Sequence, residues 1–476
     1  MEIYSKYQEE IKLIPGKRSS HLAEMGDRWI IDIKRGWSSI TPKEQKLAKI
    51  RRRCIFKAPK FMRDLNSSAY TPEIVSFGPY HHGKEHLKPM EAVKHRMLYH
   101  MLTETMMTSL EKVVAAMRKD VRVLKEAYTG LEGSQWTNDD DFLELMILDG
   151  CCLLHILLVI NGKTANHLDD ELIPSETKLF NAILVLDGIL PLHGTQLYND
   201  DILPQDNMMP PLLGSKLFND MLLLENQVPL HALQILLDLG KKQIKVESAA
   251  DLLRVLWPDA RACIPTTRSH ILEVTRTLVV GEGDFIYNDE GSANLGNITE
   301  LVEAGVRLEC NEETSFKGIT FKDGVLRLPS IRLDVFTESL LLNFVAFEHM
   351  HNTDTDVISF LLFMDRLVDT GNDVKLLRTK QIIKGWTGND DDVSTLFNRL
   401  VKKVPVLNRR KRSKGEGVEV DKELIEYSKK RRNRWRASFI QTYMVNPWVI
   451  ISFLVACILL TLSILQTVYA VHSFYR

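Results

Sequence analysis

The sequence predicts a mainly α-helical protein, α-rich with a small β element near 306–333, plus one C-terminal transmembrane helix. Three observations lead there. Apolar residues recur at helical spacing through most of the chain, from MEAVKHRMLYHMLTETMMTSL (90–110) to VSTLFNRLVKKV (393–404). VRLEC (306–310), GITFKDG (318–324) and VLRLPSIRL (325–333) instead alternate and are partly β-branched around a turn at Lys322-Asp323-Gly324. WVIISFLVACILLTLSILQTVYAV (448–471) carries no formal charge.

The organisation follows in chain order. Residues 1–53 are a mixed, charged N-terminal segment without the apolar stretch of a cleaved signal peptide. Residues 54–405 read as a helical globular domain. Within it, Pro89 suits the first turn of a helix running to Tyr128, and TGLEGSQWTNDDD (129–141) breaks that run. Asp334 or Thr337 can cap the helix ESLLLNFVAFEHM, whose polar residues Glu338, Asn343 and Glu348 form a candidate helix motif. Residues 406–436 form a basic juxtamembrane tether, 448–471 the membrane helix and 472–476 a short tail.

The apolar run is long enough for the roughly 30 Å of hydrocarbon in a bilayer. Trp448 and Tyr469 stand at its two ends, where amphipathic aromatics favour the interface. Lys429, Lys430, Arg431, Arg432, Arg434 and Arg436 precede the span and only Arg476 follows it, which puts the large N-terminal domain in the cytoplasm. The expected host is the plasma membrane or the endoplasmic reticulum. Two sequons, Asn66-Ser67-Ser68 and Asn297-Ile298-Thr299, carry weight only for the opposite orientation.

Overall charge excludes little and cysteine spacing excludes more. The formal net charge is −1, so no nucleic-acid partner is expected, and RRKRSK (409–414) beside a span reads as lipid-facing. The six cysteines lack C-x-x-C spacing, and Cys151-Cys152 lie in an apolar run, as buried free thiols do.

Three segments superimpose at a period of 38 residues: FLELMILDGCCLLH (142–155), FNAILVLDGILPLH (180–193) and FNDMLLLENQVPLH (218–231). The period lies in the range of helical repeats, and each copy is expected to be a helix pair with Asp149, Asp187 or Glu225 near its bend. In the third copy Asp220, Glu225, Asn226, Gln227 and Pro229 form a candidate helix-bend motif, with Pro229 opening the next helix. His155, His193 and His231 align, but stacked repeats separate equivalent side chains by a repeat width, so no metal is assigned to them.

The densest chemistry is SFGPYHHGKEHL (76–87), where His82–His86 match H-x-x-E-H. That pattern binds zinc only when one helix carries both histidines on one face, and Gly83 inside it and Pro89 after it disfavour a helix. The alternative is a membrane-tethered, metal-dependent hydrolase using His81, His82 and His86. The preferred reading makes Gly78, Pro79, Tyr80, His81, His82 and Gly83 a structural or partner-binding turn, its imidazoles bonded to nearby backbone or carboxylates. No phosphate loop or nucleophile elbow occurs, so no catalytic residue, metal or cofactor is expected.

Long blocks carry a resemblance. CIFKAPKFMRDLNSSAYTPEIVSFGPYHHGKEHLKPME, DFLELMILDGCCLLHIL, DMLLLENQVPLHAL, ITELVEAGVRL, GVLRLPSIRLDVFTESLLLNFVAFEH and WRASFIQTYMVNPW resemble, in order, the plant family called domain of unknown function 247. The middle copy of the 38-residue segment departs from that family's pattern and looks like a local duplication. The resemblance implies a plant membrane protein without an established activity. Some grass members are associated with pollen–stigma self-incompatibility loci, which points to recognition rather than catalysis. The expectation is a single-pass, tail-anchored membrane protein whose helical domain is an interaction or recognition module. It would act in signalling or self-incompatibility-like recognition, with an unidentified protein partner and scope for self-association.

Overall fold

A computed structural model describes residues 55–161, 212–256, 270–282, 295–311, 315–351, 355–385, 389–403, 420–430 and 447–474. The chain divides after Arg52, and all of these residues belong to the second part. The segment 1–53, the middle copy at 180–193 and the polar connections around it lie outside the described residues.

The first part of the domain is helical. Helix α1 is Lys60–Leu65 and α2 is Lys88–His100, with Pro89 in its first turn. A π turn, Met101–Thr105, follows, then α3 (Leu110–Lys119) and α4 (Val121–Glu126). The expected single helix to Tyr128 is therefore broken. Met101 and Met106, five residues apart, are both buried, and a π turn is the helical turn that repeats at five. Met107 then takes a left-handed conformation (φ 48°), which ends the run.

Helix α5, Asp139–Ile160, is the central element. Asn138 Oδ1 accepts the Asp140 N–H at 3.1 Å, and three aspartates occupy the first turn, where the helix dipole favours anions. Its sequence is apolar enough to cross a membrane, yet α2, α3 and α7 (Leu230–Leu239) pack around it and bury it. Helix α6 is Leu212–Met221, and the turn 222–229 leads from it to α7. The first and third 38-residue copies thus differ in conformation: 142–155 lies within one continuous helix, whereas 218–231 spans a helix end, a turn and a helix start. The difference is local, because the third copy has Pro229 and the first has Leu153 at the aligned position.

Short helices α8 (Lys241–Ile244) and α9 (Ala249–Leu252) precede α10 (Ile271–Val280) and α11 (Ile298–Glu303). The β element comes next, as β1 (Arg307–Asn311), β2 (Thr320–Lys322), β3 (Val325–Pro329) and β4 (Ile331–Leu333). β3 is central, parallel to β1 (Arg307 opposite Val325) and antiparallel to β2 (Thr320 opposite Arg327). Asp323 and Gly324, both at positive φ, make the two-residue turn between β2 and β3. β4 pairs in parallel with β5 (Ile383–Gly385), a strand absent from the sequence reading.

Helices α12 (Thr337–His351), α13 (Asp356–Leu367), α14 (Gly371–Thr379) and α15 (Asp390–Lys403) complete the domain. Asp334 Oδ1 accepts the Phe336 N–H and the Thr337 hydroxyl, each at 2.9 Å, before α12. Within the stretch read as a polar tether, Val420–Lys429 is a helix, α16. Val420 and Leu424 bury one side of it, and Tyr427 meets Phe321 of β2 edge to face at 5.4 Å. Helix α17, Pro447–Phe474, carries the apolar run.

Candidate functional site

Residues 72–83 form a strap laid across three helices, and side chains rather than strands satisfy its backbone. Asp220, at the end of α6, accepts N–H bonds from Glu73 (3.0 Å), Ile74 (2.7 Å) and Val75 (3.0 Å). Asn226 Oδ1 accepts the Phe77 N–H at 2.7 Å, and its Nδ2 donates to Val75 O and Asp220 O. Asp149 of α5 accepts the Gly78 N–H at 2.7 Å. Buried amides need such partners, and a carboxylate can serve two or three of them.

Beneath the strap lies a fully buried ion pair. Lys94 Nζ of α2 is 2.6 Å from Asp149 Oδ1, 2.6 Å from Ser76 O and 2.7 Å from Glu91 Oε1. Burial alone would lower the lysine pKa, but Asp149 and Glu91 hold it above the usual lysine value, so Lys94 stays an ammonium. A cationic Lys94 acts as a bolt rather than a base for the adjacent Ser76 hydroxyl at 3.2 Å.

The Gly78–Gly83 turn closes the strap. Gly78 has φ 75°, and a Cβ there would lie 2.6 Å from Gln227 O and 2.9 Å from the Tyr128 hydroxyl, so this position requires glycine twice over. Pro79 is buried, and the Tyr80 hydroxyl lies 2.7 Å from Ile55 O and accepts the Thr129 N–H at 3.1 Å. His81 is buried: Lys84 Nζ donates to its Nδ1 at 2.7 Å, and its Nε2 is 3.4 Å from Glu225 Oε2. Burial outweighs Glu225 and keeps the His81 pKa below the ordinary histidine value. His82 meets Trp136 edge to face at 5.3 Å, and His86 Nε2 is 3.1 Å from Pro72 O. His81 and the two histidines of H-x-x-E-H, His82 and His86, therefore face three different surroundings, with Glu85–Leu87 a short 3₁₀ turn rather than an α-helix. Among the described residues, no three His, Cys, Asp or Glu side chains converge on a metal position.

The helix-bend residues hold the same junction. Glu225 Oε1 accepts the Ala58 N–H at 2.7 Å. Gln227 Nε2 donates to Met221 O (2.8 Å) and Leu223 O (2.7 Å), its Oε1 accepts the Leu272 N–H at the start of α10, and its carbonyl accepts the Tyr128 hydroxyl. Pro229 precedes the first residue of α7 with φ −58°. Asn343 of α12 accepts the Leu224 N–H at 2.7 Å and donates to Ala69 O at 2.7 Å. Glu348 binds Arg276 Nε at 3.0 Å and accepts the Val357 and Ile358 N–H groups that open α13. Glu338 meets Asn66 and Arg399 near the surface, apart from this network.

Lys94 and Tyr128 were not singled out from the sequence. Lys94 interrupts a stripe of Met90, Met97 and Met101 at helical spacing, all buried, and a lone charge in such a stripe is a readable sign of an interior ion pair. Two other histidines are buried without hydrogen bonds at either ring nitrogen among the described residues. His155 faces His100 (ring centroids 5.3 Å), and burial lowers its pKa to about 4. His270 packs edge-on to Phe347, and burial lowers its pKa to about 3. Cys151 and Cys152 are free and buried, their thiols pushed up to about 12 by burial.

These features define an α-helical domain with a side-chain-bolted strap, in a chain that also carries an apolar helix long enough to cross a membrane. Residues 55–462 match a plant protein family of unknown function, DUF247, and the chain belongs to that family. It is 27% identical over 453 residues to UPF0481 protein At3g47200 of Arabidopsis thaliana, covering 88% of this chain and 87% of that one. It is also 27% identical over 183 residues to putative UPF0481 protein At3g02645 of the same plant, covering 37% of this chain and 33% of the relative. No solved structure matches.

Proposed function

We propose that this protein is a single-pass, tail-anchored plant membrane protein whose helical domain works in the cytoplasm as a protein-interaction or recognition module. The observation that carries the anchor is α17. Ile451–His472 is as apolar as α5, but none of it is covered by the rest of the described chain. At about 25 cal/mol per Å² of apolar surface, so long a bare helix favours lipid over water.

The basic run from Lys429 to Arg436 before the span supports the cytoplasmic orientation. Both sequon asparagines also have structural roles. Asn66 Oδ1 accepts the Ala69 N–H and the Ser68 hydroxyl, and Asn297 caps α11 through the Glu300 N–H at 2.9 Å. For the domain, the support is that the polar residues most prominent in the sequence are spent on holding the strap. What remains for function is the surface of a firmly bolted domain.

Sodium carbonate washing of plant membranes carrying the full chain tests the anchor: the chain should stay in the pellet, and a version ending at 446 should leave it. Glycosidase-sensitive mass on Asn66 or Asn297 would overturn the orientation. Proximity labelling from the N-terminus tests the recognition role. A neighbour set reproduced by α17 alone would show that the domain recognises nothing.

A further inference from the structure

Helix α16 stands between the domain and the apolar span in the chain, and one side of it is fastened to the domain. Val420, Asp421 and Leu424 are buried, and half-buried Tyr427 and Ser428 continue that side at steps of three and four residues. Lys422, Glu423, Glu426 and Lys429 are exposed on the other side. The seat of the helix is the β2–β3 hairpin. Tyr427 meets Phe321 of β2 edge to face at 5.4 Å, and a Cβ on Gly324 would lie 2.5 Å from the Tyr427 hydroxyl. The hairpin turn thus omits a side chain where the tyrosine rests. Helices shorter than about 12 residues are marginal in water by themselves, and α16 has 10. Its helical form and its docking therefore stand or fall together.

Where this contact falls along the chain sets the length of a leash. Between α16 and α17 lie 17 residues, 430–446, which span at most about 60 Å when fully extended. Between α17 and α15, whose Val393, Leu396, Phe397 and Leu400 are buried in the domain, lie 43 residues, 404–446, which span at most about 150 Å. Resting on the membrane-anchor reading above, we propose that α16 is a latch on the membrane tether. Docked on the β2–β3 hairpin, it keeps the domain on a short leash at the bilayer. Released, it loses its helix and lets the domain reach about 2.5 times as far. The contact joins one helix side to one hairpin, so it can open while the sheet and the helices behind it stay folded.

The test reconstitutes the full-length chain in phosphatidylcholine–phosphatidylserine liposomes. A donor fluorophore sits on a non-natural residue in place of exposed Arg307 of β1, and acceptors sit on lipid headgroups. Leu424→Asp and Tyr427→Ala should each lower energy transfer to the lipid. Each should also speed amide hydrogen exchange in α16 by about tenfold or more, with amides of β3 and α13 unchanged. Glu423→Gln, on the exposed side, should match wild type in both measurements. Flotation of the same liposomes separates the two readings. A wild-type chain that does not float overturns the anchor and this inference with it. A floating chain overturns this inference alone if its wild-type α16 amides exchange as fast as those of Leu424→Asp, or if neither variant lowers the transfer. Faster exchange throughout the domain in both variants would also overturn it, because α16 would then be part of the core.

Discussion

Lys94 shows how one residue can decide whether a buried region holds. Its ammonium is fully enclosed and touches Asp149, Glu91 and the Ser76 carbonyl, so it joins α2 to α5 and ties down the strap. Removing one partner of a buried pair leaves an uncompensated charge, which typically costs about 3–5 kcal/mol, whereas replacing both partners is far milder. Lys94→Met should therefore lower the urea midpoint of the detergent-solubilised chain severely, and Lys94→Met with Asp149→Leu should recover much of the loss. A single variant within about 1 kcal/mol of wild type would show that the pair does not hold the strap. The sequence disclosed Asp149 through its alignment with Glu225, but that alignment paired residues doing different work. Asp149 faces Lys94 from within a helix, while Glu225 sits in a turn and accepts the Ala58 N–H.

At the scale of elements, the strap is a backbone segment without a strand partner among the described residues. Six side-chain contacts from α5, α6 and the turn after α6 take over the work of a β ladder, with Asp220 alone accepting three N–H groups. Asparagine at 220 would keep the shape but supply only one acceptor oxygen. Asp220→Asn should speed amide hydrogen exchange at Glu73, Ile74 and Val75 by tenfold or more, about 1.4 kcal/mol of local opening, while amides in α13 stay unchanged. Uniform acceleration through the domain would assign Asp220 to global stability instead. The helix-bend motif and the strap motif were legible separately, as Asp220–Pro229 and Gly78–Gly83. Their contact was not, because more than a hundred residues separate them and helical periodicity reports only which face is buried.

Acid sensitivity belongs to the whole molecule. His155 and His270 are buried neutral in the folded chain, with pKa values of about 4 and about 3, against about 6.5 when unfolded. Above pH 6.5 both states are neutral and neither histidine makes stability depend on pH. Below it, the unfolded chain takes up protons that the folded chain refuses, so stability falls by roughly 1.4 kcal/mol per pH unit for each histidine. That loss ends near pH 4 for His155 and near pH 3 for His270. Nearby His100 and Glu273 bias these values in opposite senses, His100 lowering that of His155 and Glu273 raising that of His270. Asp220, its carboxyl pKa raised to about 6 by burial, works in the opposite sense, because the folded chain takes up that proton first as the pH falls. Between pH 6.5 and 4.5 the melting temperature of His155→Leu with His270→Leu should therefore fall less than that of the unaltered chain. An equal slope in the double variant would place the acid sensitivity elsewhere.

The sequence by itself determined the helical class, the hairpin at Asp323-Gly324, the helix boundary at Pro229 and the apolar helix, together with membership of the plant family. Each of these depends on periodicity, a turn residue or an unbroken run, all properties of neighbours along the chain. Only the tertiary structure decided that α5, as apolar as α17, is a core helix, and that β5 joins β4 across some fifty residues. It also decided that the histidines of SFGPYHHGKEHL part company, each held by a different neighbour. Burial and hydrogen-bond partners depend on what packs from elsewhere, and a linear pattern does not encode that.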